Sequence, residues 1–138
     1  MAIKNYTSGV SVYQSLGEIQ GALAAHGARK IMVDYTADGQ PSGITFGLED
    51  GAAQAVFSLP ANVEGVAAAF DRQNVKGDWD QAARTAWRNI RDWVLAQMAF
   101  IESGAVQMDE VFLPYLMDKR GNTLYQVYKT GNLLTEGQ

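Results

Sequence analysis

A chain of 138 residues, 47% apolar and 19% charged, is sized for one domain that folds on its own core without a metal or a disulfide. It contains no cysteine, which excludes a disulfide scaffold, a thiol nucleophile and a thiolate zinc site. The formal net charge of −4 excludes a strongly basic nucleic-acid coat but leaves room for a local basic stripe.

The first residues, MAIKNYTSG, hold no apolar core of signal-peptide length, and no apolar run approaches the ~18 residues of a membrane span. The expectation is a cytoplasmic protein with no membrane partner. Residues 1–10 are polar and β-prone around Tyr6, and read as a flexible arm or an edge strand. Ser11 with Gln14 has the form of a capping box. Val12, Leu16, Ile19 and Leu23 then recur at helical spacing, which predicts a helix over 12–26 with Gly27 ending it. His26, the only histidine, falls in the last turn, where a helix C-terminus favours its protonated form. A lone histidine of this kind is a cap or surface residue sooner than a ligand.

Three period-2 segments follow. Ile31, Val33 and Tyr35 alternate with polar neighbours, as do Ile44, Phe46 and Leu48, and then Ala55, Phe57 and Leu59. A turn over 37–42 and an Asp50-Gly51 hairpin separate them. Over 32–36, 45–49 and 54–58 the outer face would carry Met32, Asp34, Thr45, Gln54 and Ser58 among others, a set with no Lys, Arg or aromatic ring. An RNA-binding sheet needs such rings. That face suits solvent or a partner subunit.

Pro60 suits a helix's first turn, and Val63, Val66, Ala67 and Phe70 extend a stripe to residue 72. Asp78 with Gln81 opens a long helix over 78–103 that contains all three tryptophans. Its first half is amphipathic. Its second half, WVLAQMAFI, is apolar nearly all round, which predicts enclosure by protein, as the core helix or at a subunit interface. Gln97, its one polar residue, would then need hydrogen-bond partners. Pro114 should break the next segment, Thr123 can cap a short helix that Gly131 stops, and 132–138 form a loose tail. Residues 1–138 make one α+β domain. It is a three-stranded antiparallel meander with helices packed on one face and a long central helix, in helix-strand-strand-strand-helix-helix order.

Arg84, Arg88 and Arg91 stand at i, i+4 and i+7, on one helix face. Such a row can follow a phosphate backbone, and Trp87 and Trp93 beside it can stack on bases. The competing reading is a solvated face with Asp80 paired to Arg84 and the tryptophans in the core. Phe112, Tyr115, Tyr125 and Tyr128 line either a binding groove or a terminal subdomain packed on the core. Carboxylate pairs at Glu49-Asp50, Asp78/Asp80 and Asp109-Glu110 fall at turns and helix starts, where acids are favoured anyway. There is no GxGxxG, P-loop or serine-nucleophile motif. No catalytic residue, metal ligand or cofactor is expected.

The segments HGARKIMVDY, FSLPANVEGV, AARTAWRNIRDWVLAQMAFIESG, EVFLPYLM and TLYQVYK together resemble a family of small bacteriophage and prophage proteins. The resemblance spans nearly the whole chain and implies a bacterial cytosolic setting during infection. It carries no activity onto particular residues. The element order is also similar to that of double-stranded-RNA-binding modules and, more loosely, of phage annealing proteins, whose basic residues are missing here. The leading expectation is a non-enzymatic phage accessory protein. It would bind nucleic acid, in single-stranded form, through Arg84, Arg88, Arg91 and Trp87, as a homo-oligomer. The alternative is an interaction module: an inhibitor or sponge acting against a host enzyme or defence system.

Overall fold

Ser11 Oγ accepts the Gln14 N–H at 3.1 Å and starts α1, Val12–Ala25. Ser15, Leu16, Ile19 and Leu23 are its buried stripe. Gly27, at φ +110°, turns the chain in a conformation that favours glycine. The computed structural model describes residues 1–50 and 53–131. After Gly27 come β1, Ala28–Tyr35, β2, Pro41–Asp50, and β3, Ala53–Pro60, in an antiparallel sheet of order β1-β2-β3. Gly51 of the expected Asp50-Gly51 turn, and the 132–138 tail, lie outside the described residues.

The register explains the core. Ile31 pairs with Phe46 and Phe46 with Phe57, while Val33 pairs with Ile44 and Ile44 with Leu59. Alternation therefore gathers these side chains on one face. Gly43 of β2, on the opposite face, makes a close approach, since a Cβ would stand 2.9 Å from the Leu59 carbonyl oxygen.

Next come α2, Val63–Arg72, and α3, Trp79–Glu102. The second helix begins later than the sequence predicts. Pro60 pairs with Gly43 as the last residue of β3, and the Ala61 N–H continues the ladder to the Ser42 carbonyl at 2.9 Å. Asn62, at φ 59°, then redirects the chain. Trp87, Val94 and Met98 of α3 join the sheet residues and α1 in one core. Val66, Phe70, Ala82 and Ala86 form a smaller cluster between α2 and α3.

The chain ends in α4, Met108–Val111, a 3-10 turn at Leu113–Tyr115 around Pro114, and α5, Leu124–Lys129. Thr123 caps α5 by accepting the Gln126 N–H at 3.2 Å. Phe112 is fully buried, edge-on to Phe46 at 4.9 Å and to Trp93 at 5.5 Å. It anchors this segment to the core, while Tyr125 and Tyr128 stay exposed.

Two expectations are corrected. Residues 1–10 are neither an edge strand nor loose: they turn at Asn5, φ 64°, and dock along α3. Of the two alternatives for the second half of α3, enclosure as a core helix within the chain is not found. Val94 and Met98 are buried, but Trp93 is 36% and Phe100 54% exposed, and Ala96 and Ala99 are exposed too. An all-apolar composition fixes that either side can be covered, and α1 and the sheet cover only one.

Candidate interaction surface on the long helix

The arginine row is built from the helical spacing of residues 84, 88 and 91, and it faces the protein. Arg84 donates from Nε to the Ser8 carbonyl at 3.3 Å and from Nη2 to Gln81 Oε1 at 2.6 Å. Arg88 Nη1 donates to Ser15 Oγ and to Glu18 Oε1, both at 3.3 Å. Arg91 donates from Nε to the same Glu18 oxygen at 2.6 Å and from Nη1 to Asp92 Oδ1 at 3.0 Å. The row is thus a seam joining α3 to α1 and the N-terminal arm. The Asp80–Arg84 pair expected of a solvated face does not appear among the ion pairs of the described residues. Trp87 is fully buried and presents no ring to a base. It lines a hollow of about 220 Å³ between the β1–β2 turn and the starts of α1, α2 and α3, and its indole N–H has no partner among the described residues.

The charges of the seam are matched. The hydrogen bond from Arg91, then that from Gln14, holds the Glu18 carboxyl below the usual carboxylate range. Burial pushes the Asp92 carboxyl up, but hydrogen bonds from Asn5, Arg91 and Lys4 outweigh it and hold it low.

Asn5 is the keystone of the arm. Its carbonyl accepts the hydroxyl of fully buried Thr85 at 2.9 Å. Its side-chain amide donates to Asn89 Oδ1 at 2.8 Å and to Asp92 Oδ2 at 2.9 Å. Sequence reasoning missed both Asn5 and Glu18. For Asn5 the signal was an asparagine in a polar run, the residue type that tolerates a left-handed turn. For the Glu18 clasp there was none, because its arginine partners lie 70 and 73 residues away.

His26 forms a second clasp between the same helices. Its Nδ1 lies 2.8 Å from the Ala22 carbonyl oxygen and its Nε2 2.7 Å from Glu102 Oε2. Both neighbours are acceptors, so only the doubly protonated ring satisfies both. The Ala22 carbonyl first, then Glu102, raises the His26 pKa above its ordinary value.

What α3 offers outward is apolar. Trp93, Ala96 and Phe100 recur at helical spacing and are exposed, and Trp93 meets Tyr115 edge-on at 6.1 Å. Beside them Leu59, Pro60, Asn89, Ile90, Trp93 and Tyr115 line a shallow groove of about 370 Å³. Such a ridge with a neighbouring groove can seat an apolar side chain, with Asn89 available for a polar one. Trp93 and Phe100 are thus two large exposed apolar side chains seven residues apart on one helix face.

Among the described residues no three His, Asp or Glu side chains come together to hold a metal, and no helix is long and apolar enough to cross a membrane. No family model matches the chain, and no curated protein or solved structure is similar to it.

Proposed function

We propose that this chain is a non-enzymatic interaction protein, an accessory factor of phage type that docks a host protein on the outer ridge of α3. One observation carries the reading. Trp93 and Phe100 stand exposed on the long helix, while the guanidinium groups of the same helix are bound inside the fold. Aromatic anchors beside a groove are the usual centres of protein contacts. The acidic net charge of −4 favours a partner with a basic rim around an apolar side chain. Inhibition of a host enzyme or defence component is the role this mode of binding serves.

Nucleic-acid binding through Arg84, Arg88 and Arg91 ranks second. Phosphate would have to displace Glu18 and the arm from those guanidiniums, and Trp87 would have to leave the core. A tagged chain incubated with host lysate separates the readings when run beside its Trp93→Ala/Phe100→Ala variant. The expected outcome is a protein retained by the wild type and lost by the folded variant. Equal retention by both, or salt-sensitive binding of a labelled oligonucleotide instead, overturns the proposal.

A further inference from the structure

The two edges of the sheet are finished differently. On β3, the Met117 N–H donates to the Val56 carbonyl at 2.8 Å, and Leu116 forms an antiparallel bridge with Phe57. The chain's own C-terminal segment therefore closes that edge. On β1, nothing among the described residues pairs with the outer edge. An open row of N–H and C=O groups is a template for another strand.

The ladder settles which groups are open. Peptide groups along a strand point alternately to one neighbour and the other. The Val56 carbonyl faces outward on β3, so the groups of Phe57 and Leu59 face β2 and bond to those of Phe46 and Ile44. The intervening groups of Gly43, Thr45 and Gly47 then face β1 and bond to Asp34, Met32 and Lys30. That leaves the peptide groups of Ile31, Val33 and Tyr35 directed into the open edge.

We propose that β1 pairs antiparallel with β1 of a second copy of this chain, centred on Met32, joining the two sheets into one of six strands. Charge complementarity selects this register. Pairing through the open groups keeps both core faces on one side of the sheet when the centre is Ile31, Met32 or Val33. Only the centre at Met32 sets Lys30 opposite the partner's Asp34, and two-fold symmetry makes that contact twice. These are non-hydrogen-bonded positions, where cross-strand side chains approach closest. Centring on Ile31 sets Lys30 against the partner's Met32, and centring on Val33 sets it against the partner's Thr36. In the proposed register Ile31, half-buried in one chain, faces the partner's Val33 on the core side. Exposed Met32, at 58%, meets the partner's Met32 on the axis. Charges on an edge repel unrelated strands, and here the same charges recognise their own copy.

The test uses the absence of cysteine from the chain. Residues at the axis of such a pair have α-carbons about 4.5 Å apart, within the range of a disulfide. Met32→Cys is expected to give a disulfide-linked dimer under mild oxidation, while Val56→Cys, on the same sheet face in β3, stays monomeric. Sedimentation of the wild type should show a dimer. Lys30→Asp and Asp34→Lys should each weaken it roughly ten-fold, and the double exchange should restore it. A chain ending at Gly131 should dimerise like the full chain. The proposal is overturned if the wild type stays monomeric at its highest soluble concentration, or if Met32→Cys cross-links no better than Val56→Cys. It also fails if the double exchange restores nothing, or if dimers appear only on removing residues 132–138. None of these readouts depends on what α3 binds.

Discussion

The two halves of α3 differ in composition, the first amphipathic and the second apolar but for Gln97 and Glu102, and each is held differently from what that composition suggests. Residues 79–91 are held by a polar network: Gln81, Arg84 and Thr85 grip the N-terminal arm, and Arg88 and Arg91 grip Glu18 of α1. Residues 93–102 have a buried side at Val94 and Met98 and an exposed side with Ala96 and Phe100, at whose margin Trp93 is partly covered by Phe112 and Tyr115. The half read as a nucleic-acid site has its guanidiniums bonded to α1 and the arm, and the half read as core helix or subunit interface leaves an apolar side exposed. Charge on a helix therefore says little about function until its partners are known. A guanidinium bonded within the fold is not free to meet a phosphate.

The contrast breaks most sharply at Trp87. If the first half is scaffold, Trp87→Ala should cost about 3–5 kcal/mol, read as a lower urea midpoint. A loss near zero would place Trp87 outside the core. Next is the arm. Asn5→Ala removes the amide that serves Asn89 and Asp92, and puts alanine at a positive φ. It should cost about 1–3 kcal/mol in the same measurement.

The pH dependence of the two clasps sharpens the comparison further. His26 has a raised pKa, so its contribution is complete below the unfolded value of about 6.5 and is lost as pH rises through the folded value. Glu18 has a lowered pKa, so its contribution is present above about 4.3 and is lost as pH falls through the folded value. Tm should therefore fall on both flanks of a plateau between them. His26→Asn should flatten the upper flank and Glu18→Gln the lower. An unchanged profile in either variant would remove that clasp from the account.

The smallest stability effect is expected at Phe100. It is 54% exposed, so Phe100→Ala should shift stability by no more than about 0.5 kcal/mol, well below a core truncation. Its effect should appear in partner capture instead. A large loss of stability there would mean the ridge packs within the chain.

Much of the fold was legible locally. Ser11, Asp78 and Thr123 each cap the helix that the sequence assigned to them, accepting the N–H three residues on. The period of two in Ile31–Val33, Ile44–Phe46 and Phe57–Leu59 fixed three strands and their inward face, and the observed register aligns those residues. Even Gly27 could be read as a left-handed stop, which its φ of +110° matches. These signals lie within about four residues of what they determine, because caps, turns and side-chain alternation are short-range steric and hydrogen-bonding effects.

The tertiary structure alone decided the rest. Arg84, Arg88 and Arg91 share a helix face by spacing, but whether that face meets solvent or Glu18 depends on where α1 packs. Asn5 and Thr85 meet across 80 residues, and His26 and Glu102 across 76. The apolar run after Trp93 is equally suited to a core and to an interface, since burial free energy follows the area covered whatever covers it. Only packing fixed one side of that run against the core and left Trp93 and Phe100 outside. Only the sheet order left β1 with an open edge, because a strand's own sequence does not show which neighbours its peptide groups will find.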